Sequence, residues 1–107
     1  MPTYLGRFSY TPQAIKALAE NPQDRSKAAA EVVESMGGTL RGFWFAFGEY
    51  DGVFIVDAPD AATAAALSMV IGGSGAMSSV ETTALLDMDE AQEAMRKAGS
   101  ATYRPPS

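Results

Sequence analysis

The sequence predicts an α+β domain: a four-stranded antiparallel sheet, helices against one of its faces, and a further helix at the C-terminal end. Three observations carry this. A chain of 107 residues has room for one compact domain and one core. A composition 47% hydrophobic and 20% charged belongs to an ordinary globular domain, not a disordered one. Short β-favouring runs and helical stripes then succeed one another in the order β-α-β-β-α-β-α.

Thr3 to Tyr10 is rich in aromatic and β-favouring residues and reads as the first strand. Thr11-Pro12 gives a cap residue followed by proline at the first helical position, a helix start. This helix carries Ile15 and Leu18 inward, is interrupted at Asn21-Pro22, and restarts at about Gln23 to Ser26. Ala29, Val32, Val33 and Met36 form its continuing stripe, and Gly37-Gly38 closes it because glycine takes the left-handed cap conformation cheaply. Thr39 to Phe47 is an aromatic-loaded strand, Gly48 to Gly52 a turn, and Val53 to Val56 its hairpin partner. Asp60 is the expected N-cap of a helix over residues 61–71, apolar nearly all round and so expected to be covered on most sides. Gly72 to Gly75 ends it, Ser79 to Leu86 is the fourth strand, and Asp87 to about Ala98 is a short amphipathic helix. The domain is thus drawn over residues 1–98, with a tail over residues 99–107. The order matches the ferredoxin-like split β-α-β arrangement.

A sheet with helices on one face only should alternate apolar and polar residues. The second strand instead places Phe43, Phe45 and Phe47 on one face and, by strict alternation, Leu40, Trp44 and Ala46 on the other. The third sets Phe54 and Val56 against Val53 and Ile55. Helices cover one face, and the other would be a large apolar patch in water. A second copy packed on it across a two-fold axis solves this with one self-complementary surface. The alternative is a C-terminal helix folded back over it. A homodimer is the expectation.

Composition excludes much chemistry. There is no cysteine and no histidine, so disulfides, Ser-His-Asp and Cys-His catalysis and an ordinary zinc site are all absent. No metal and no cofactor is expected. Residues 1–47 carry five basic and four acidic side chains, and residues 48–107 three basic and nine acidic. With no basic cluster, a nucleic-acid partner is not expected. No apolar window is long enough to span a membrane and the N-terminus lacks a leader pattern, so a cytoplasmic protein is expected.

The string Phe45-Ala46-Phe47-Gly48-Glu49-Tyr50-Asp51, followed by an apolar strand and Ala58-Pro59-Asp60, resembles the GYD-domain family, whose signature here reads Gly48-Glu49-Tyr50-Asp51. Tyr10-Thr11-Pro12, Gly37-Gly38, and Gly72 to Gly75 leading into Val80-Glu81-Thr82-Thr83 are similar to the family's junctions. The resemblance spans about residues 3 to 86. It implies a dimeric α/β barrel, two sheets closed across a two-fold axis. It supplies no reaction.

Four groups of residues are candidates for chemistry. In the Gly48 to Gly52 turn, Asp51 can bond the backbone just after it and Tyr50 can lay its ring on the aromatic strand. Equally, Tyr50 and Asp51 can line a pocket mouth, the carboxylate acting as base. Tyr4, Phe8 and Tyr10 share one face of the first strand, in the sheet that also carries Trp44, and form either core or a ligand surface. Among strand charges, Asp57 is expected to be solvated and Arg41 to snorkel. In the 4-1-3-2 strand order of this fold class, Arg7 and Glu81 fall on neighbouring strands, where they can pair with each other or anchor a substrate. Gly72-Gly73-Ser74-Gly75 is not a phosphate loop, since it follows a helix and lacks the lysine.

The leading functional expectation is a homodimer binding a small apolar or aromatic ligand between sheet and helices, through Tyr4, Tyr10, Trp44, Tyr50 and Asp51. One alternative is a cofactor-independent oxygenase or isomerase, which the resemblance to dimeric α/β-barrel enzymes suggests, with Tyr, Asp or Glu in place of histidine. The other is a purely structural dimerisation module.

Overall fold

The computed structural model describes residues 1–107. Eight elements follow in order: β1 (Thr3–Tyr10), α1 (Pro12–Glu20), α2 (Ser26–Ser35), β2 (Thr39–Phe45), β3 (Gly52–Asp57), α3 (Ala61–Gly72), β4 (Met77–Leu85) and α4 (Met88–Ser100). The helix starts are set by side-chain caps. The Thr11 hydroxyl accepts from the Ala14 N–H (3.2 Å), with Pro12 opening α1. Asp60 accepts from the Thr63 N–H and hydroxyl (2.8 and 2.7 Å). Asp87 and Glu90 satisfy each other's backbone N–H groups in a capping box. Between α1 and α2, Pro22 cannot donate an N–H to a continuing helix, so one predicted helix with an interruption becomes two. Gly37, at φ +82°, makes the turn out of α2. Gly99 stays inside the last turn of α4, which runs to Ser100.

The strands form one antiparallel sheet in the order β2-β3-β1-β4. Tyr4, Phe8, Tyr10, Phe54 and Val56 face the helices and are buried. Leu5, Arg7, Val53 and Ile55 face the other way, towards solvent. One expectation about β2 is corrected. A register shift between Leu40 and Gly42 inserts an extra residue, so Leu40, opposite Val56, and Phe43, opposite Phe54, share the helix face. Strict alternation separates them; the bulge brings them together. Trp44, opposite Val53, lies on the open face, and Phe47 lies beyond the strand and fully in solvent.

Asp57 also departs from expectation. It accepts a 2.6 Å hydrogen bond from the Thr3 hydroxyl and lies 3.7 Å from the Arg41 guanidinium, so the ends of three strands are tied together. Its carboxylate is more engaged than a merely solvated one.

The core is thin. Only 11 of 107 residues are buried, and Phe8 and Val56 are the only large side chains below 2% exposure. α3 buries just Ala64 and Leu67 and leaves Met69 and Val70 in solvent, so the expected all-round cover is absent from the single chain. α4 buries no residue, and Met88 and Met95 are exposed along it. The radius of gyration is 17.2 Å, against roughly 13 Å for a compact chain of this length. No helix is long and apolar enough to cross a membrane.

Candidate functional site

Between the sheet and the helices lies a cavity of about 360 Å³, within the range of small-ligand sites. Sixteen of its 19 lining residues are hydrophobic. Its floor is made by Phe8, Tyr10, Phe43 and Phe54, and its walls by α1, α2 and the end of α3.

The floor owes its shape to two glycines. Gly6 stands opposite Phe54 and Gly52 opposite Phe8 across the β1–β3 ladder. Each phenyl ring lies directly above the facing glycine, where a Cβ would collide with it. The rings therefore recline on the sheet instead of rising into the helix layer. Phe8 contacts Tyr10 edge-on at a centroid separation of 5.2 Å, and Phe43 and Phe54 stack at 6.5 Å. A low aromatic floor beneath two small-residue helix walls (Ala14 and Ala17 from α1, Ala28 and Ala29 from α2) leaves the space above it open.

The structure divides the five sequence candidates. Tyr10 lines the cavity. Its hydroxyl is held above its ordinary pKa mainly by burial and stays protonated in the neutral range. Tyr4 is buried in the core but does not line the cavity. Trp44 is on the opposite face, its ring over Gly42 and 53% exposed. Tyr50 also lies over the open face. Asp51 joins two strands, because its carboxylate accepts from the Tyr10 N–H (2.8 Å), its N–H donates to the Phe8 carbonyl, and its carbonyl accepts from Ala46. Composition alone did not single out Gln23, Arg25 and Ser74, the polar residues of the lining. Their loop positions carry no periodic signal.

Tyr50 belongs instead to a cluster with Arg7 and Glu81. Arg7 and Glu81 are register partners, joined by a 2.7 Å ion pair, as strand order allows. The Arg7 guanidinium lies 4.9 Å from the Tyr50 ring centre, and the Tyr50 hydroxyl donates a short hydrogen bond to Glu81. That bond, and secondly Arg7, hold the Glu81 carboxyl below the usual range; the same bond raises the Tyr50 hydroxyl. No group of three or more His, Cys, Asp or Glu is placed to hold a metal ion.

Two expected results follow from these contacts. Asp51→Asn, which keeps an acceptor for the Tyr10 N–H, should stay within about 0.5 kcal/mol of wild type in urea melts. Asp51→Ala leaves that N–H without its acceptor and should cost about 1–2 kcal/mol. In the second, Tyr50→Phe removes the first cause of the Glu81 shift. A carboxyl with lowered folded pKa contributes stability above its unfolded value and loses it as pH falls through the folded one. The small Tm gap between wild type and Tyr50→Phe should therefore be constant near neutrality and close below about pH 4. A gap that widens in acid would refute the assignment.

Comparison with known proteins agrees with this architecture. The chain is similar to the crystal structure of FFRP-DM1, at 12% identity and a TM-score of 0.51, covering 80% of this chain and 100% of that one. It also resembles an uncharacterized NIPSNAP domain protein from Burkholderia xenovorans, at 14% identity and a TM-score of 0.45, covering 81% and 94%. No curated protein matches the sequence. The first likeness supports the fold alone. The sequence model of the GYD domain matches residues 4–95, from the buried Tyr4 of β1 into α4 and across the Gly48 to Asp51 turn, and the chain belongs to the GYD-domain family.

Proposed function

We propose that this protein binds a small, largely apolar or aromatic molecule between its sheet and helices, without transforming it. The cavity of about 360 Å³, lined almost wholly by hydrophobic side chains over an aromatic floor, carries the reading. Binding is favoured over catalysis because no carboxylate lines that cavity. Asp51 is spent on the backbone of β1, and Glu81 and Tyr50 are engaged on the opposite face. The Tyr10 hydroxyl, with its raised pKa, stays protonated near neutrality and is not available as a general base. Small molecules extracted from the purified protein and identified by mass spectrometry should include an apolar species stoichiometric with the chain, lost from a cavity-filling Ala29→Phe variant. Failure of the folded protein to retain or take up any apolar small molecule would overturn the reading.

We further propose that the working form is a homodimer joined through the open sheet face. The chain exposes 7364 Å², about 1,700 Å² more than the roughly 5,700 Å² typical of a monomer of its 11.2 kDa. An excess of that size per protomer is in the range that permanent interfaces bury. Leu5, Val53, Ile55 and Trp44 give the face its apolar centre.

A further inference from the structure

We infer that the cavity selects a carboxylate-bearing ligand, an apolar aromatic or short aliphatic body ending in one anionic group, and that Arg25 is the residue that reads the anion. This rests on the cavity being a ligand site. The apolar lining is broken by three residues only, Gln23 and Arg25 from the α1–α2 connection and Ser74 from the α3–β4 connection. Arg25 has no ion-pair partner. The ion pairs of the molecule are Arg7–Glu81, Arg41–Asp57 and Arg96–Glu93. The neighbouring carboxylate, Asp24, is turned to the Ser26 N–H (2.9 Å) and hydroxyl, where it serves the start of α2.

The Arg25 guanidinium is held in place from within the lining. One Nη1–H donates to the Gln23 side-chain oxygen at 2.9 Å, which leaves the other donors of the planar fork free. Tyr10 lines the same cavity, and its hydroxyl makes no hydrogen bond to the protein. The two are near enough for the Arg25 charge to pull the Tyr10 hydroxyl pKa downward against the larger effect of burial. A cationic fork with unused donors and a free hydroxyl therefore line the same, otherwise largely apolar chamber. An apolar molecule alone would use neither, leaving the exposed guanidinium to water and the hydroxyl without a protein partner. A carboxylate accepts from both, in the bidentate manner a guanidinium favours, while its apolar body rests on the Phe8, Phe43 and Phe54 rings.

The test compares three probes of one shape, 3-phenylpropanoate, its neutral amide and 3-phenylpropan-1-ol, by calorimetric or NMR titration of the full chain. The carboxylate should bind about tenfold more tightly than the amide, the usual scale of a charge-assisted hydrogen bond. Arg25→Gln should remove that preference and change the alcohol's affinity far less than the carboxylate's. Arg25 is exposed, so the variant should fold; unchanged melting temperature checks it. Equal binding of carboxylate and amide by wild type, or a preference that survives Arg25→Gln, overturns the assignment of Arg25 while leaving the apolar site standing. Failure of all three probes to bind overturns both.

Discussion

Gly52→Val is expected to destabilise the domain by about 3 kcal/mol, the upper part of the range for overpacking a close-packed core. Gly52 is buried at the start of β3, opposite Phe8, and a Cβ placed there would run into the Phe8 ring. That ring is 1% exposed, hemmed by Tyr10, Phe43 and Phe54 at centroid distances of 5.2, 5.6 and 6.0 Å. It can yield only by lifting into the cavity, which loses aromatic contacts and fills the ligand space together. The cost is steric: only Gly37 and Gly75 have positive φ, so the backbone at Gly52 accepts any residue. Gly48 serves as the control. It lies at the other end of the Gly48 to Gly52 turn and has no atom within 4 Å of its would-be Cβ, so Gly48→Ala should stay within about 0.5 kcal/mol. Urea melts of the two variants separate these cases. Equal stability would mean that the rings are free to move and that the cavity floor is not fixed by glycine.

This pair of glycines marks where the sequence stops being legible. The strands, the break at Asn21-Pro22, the caps at Thr11 and Asp60 and the helix start near Asp87 all depend on neighbours within a few residues, and each is visible in the sequence. The Arg7–Glu81 pair was visible once strand order was assumed, since register then places them side by side. The bulge at Arg41 was not, because nothing local distinguishes Leu40-Arg41-Gly42 from a regular strand. It alone put Leu40 on the wrong face. Of the five residues named for the site, Tyr10 alone lines the cavity. Tyr10 follows from alternation along β1, but Trp44, in the same sheet, faces the opposite way. Whether a ring stands up or lies down depends on the residue across the ladder, at Gly6 and Gly52, nearly 50 positions apart. The polar part of the lining, Gln23, Arg25 and Ser74, comes from two loops that border one cavity only when α1, α2 and α3 dock on one sheet.

Trp44→Glu is expected to convert the proposed dimer into a monomer. Wild type should scatter light with twice the 11.2 kDa chain mass at micromolar concentration, and the variant with once that mass. In the single chain Trp44 is half exposed and lies on Gly42, away from the helix-side core, so its loss should leave the fold intact. In a face-to-face dimer it meets the partner's open face beside Val53 and Ile55. There a carboxylate in each protomer would lose its water without gaining a cation, a penalty of several kcal/mol for each buried charge. Arg7 offers no rescue, since Glu81 already holds it. Tryptophan fluorescence gives an independent reading, because Trp44 is the one tryptophan of the chain. On dilution through the dissociation midpoint its emission should shift to the red as the ring returns to water. Wild type at 11.2 kDa would end the dimer proposal. A variant that remains dimeric would move the interface off this face, to the exposed Met69 and Val70 of α3 or Met88 and Met95 of α4. A Trp44→Phe variant keeps the apolar surface and should stay dimeric, so the charge introduced at position 44, not the loss of the indole, is what the scattering reads.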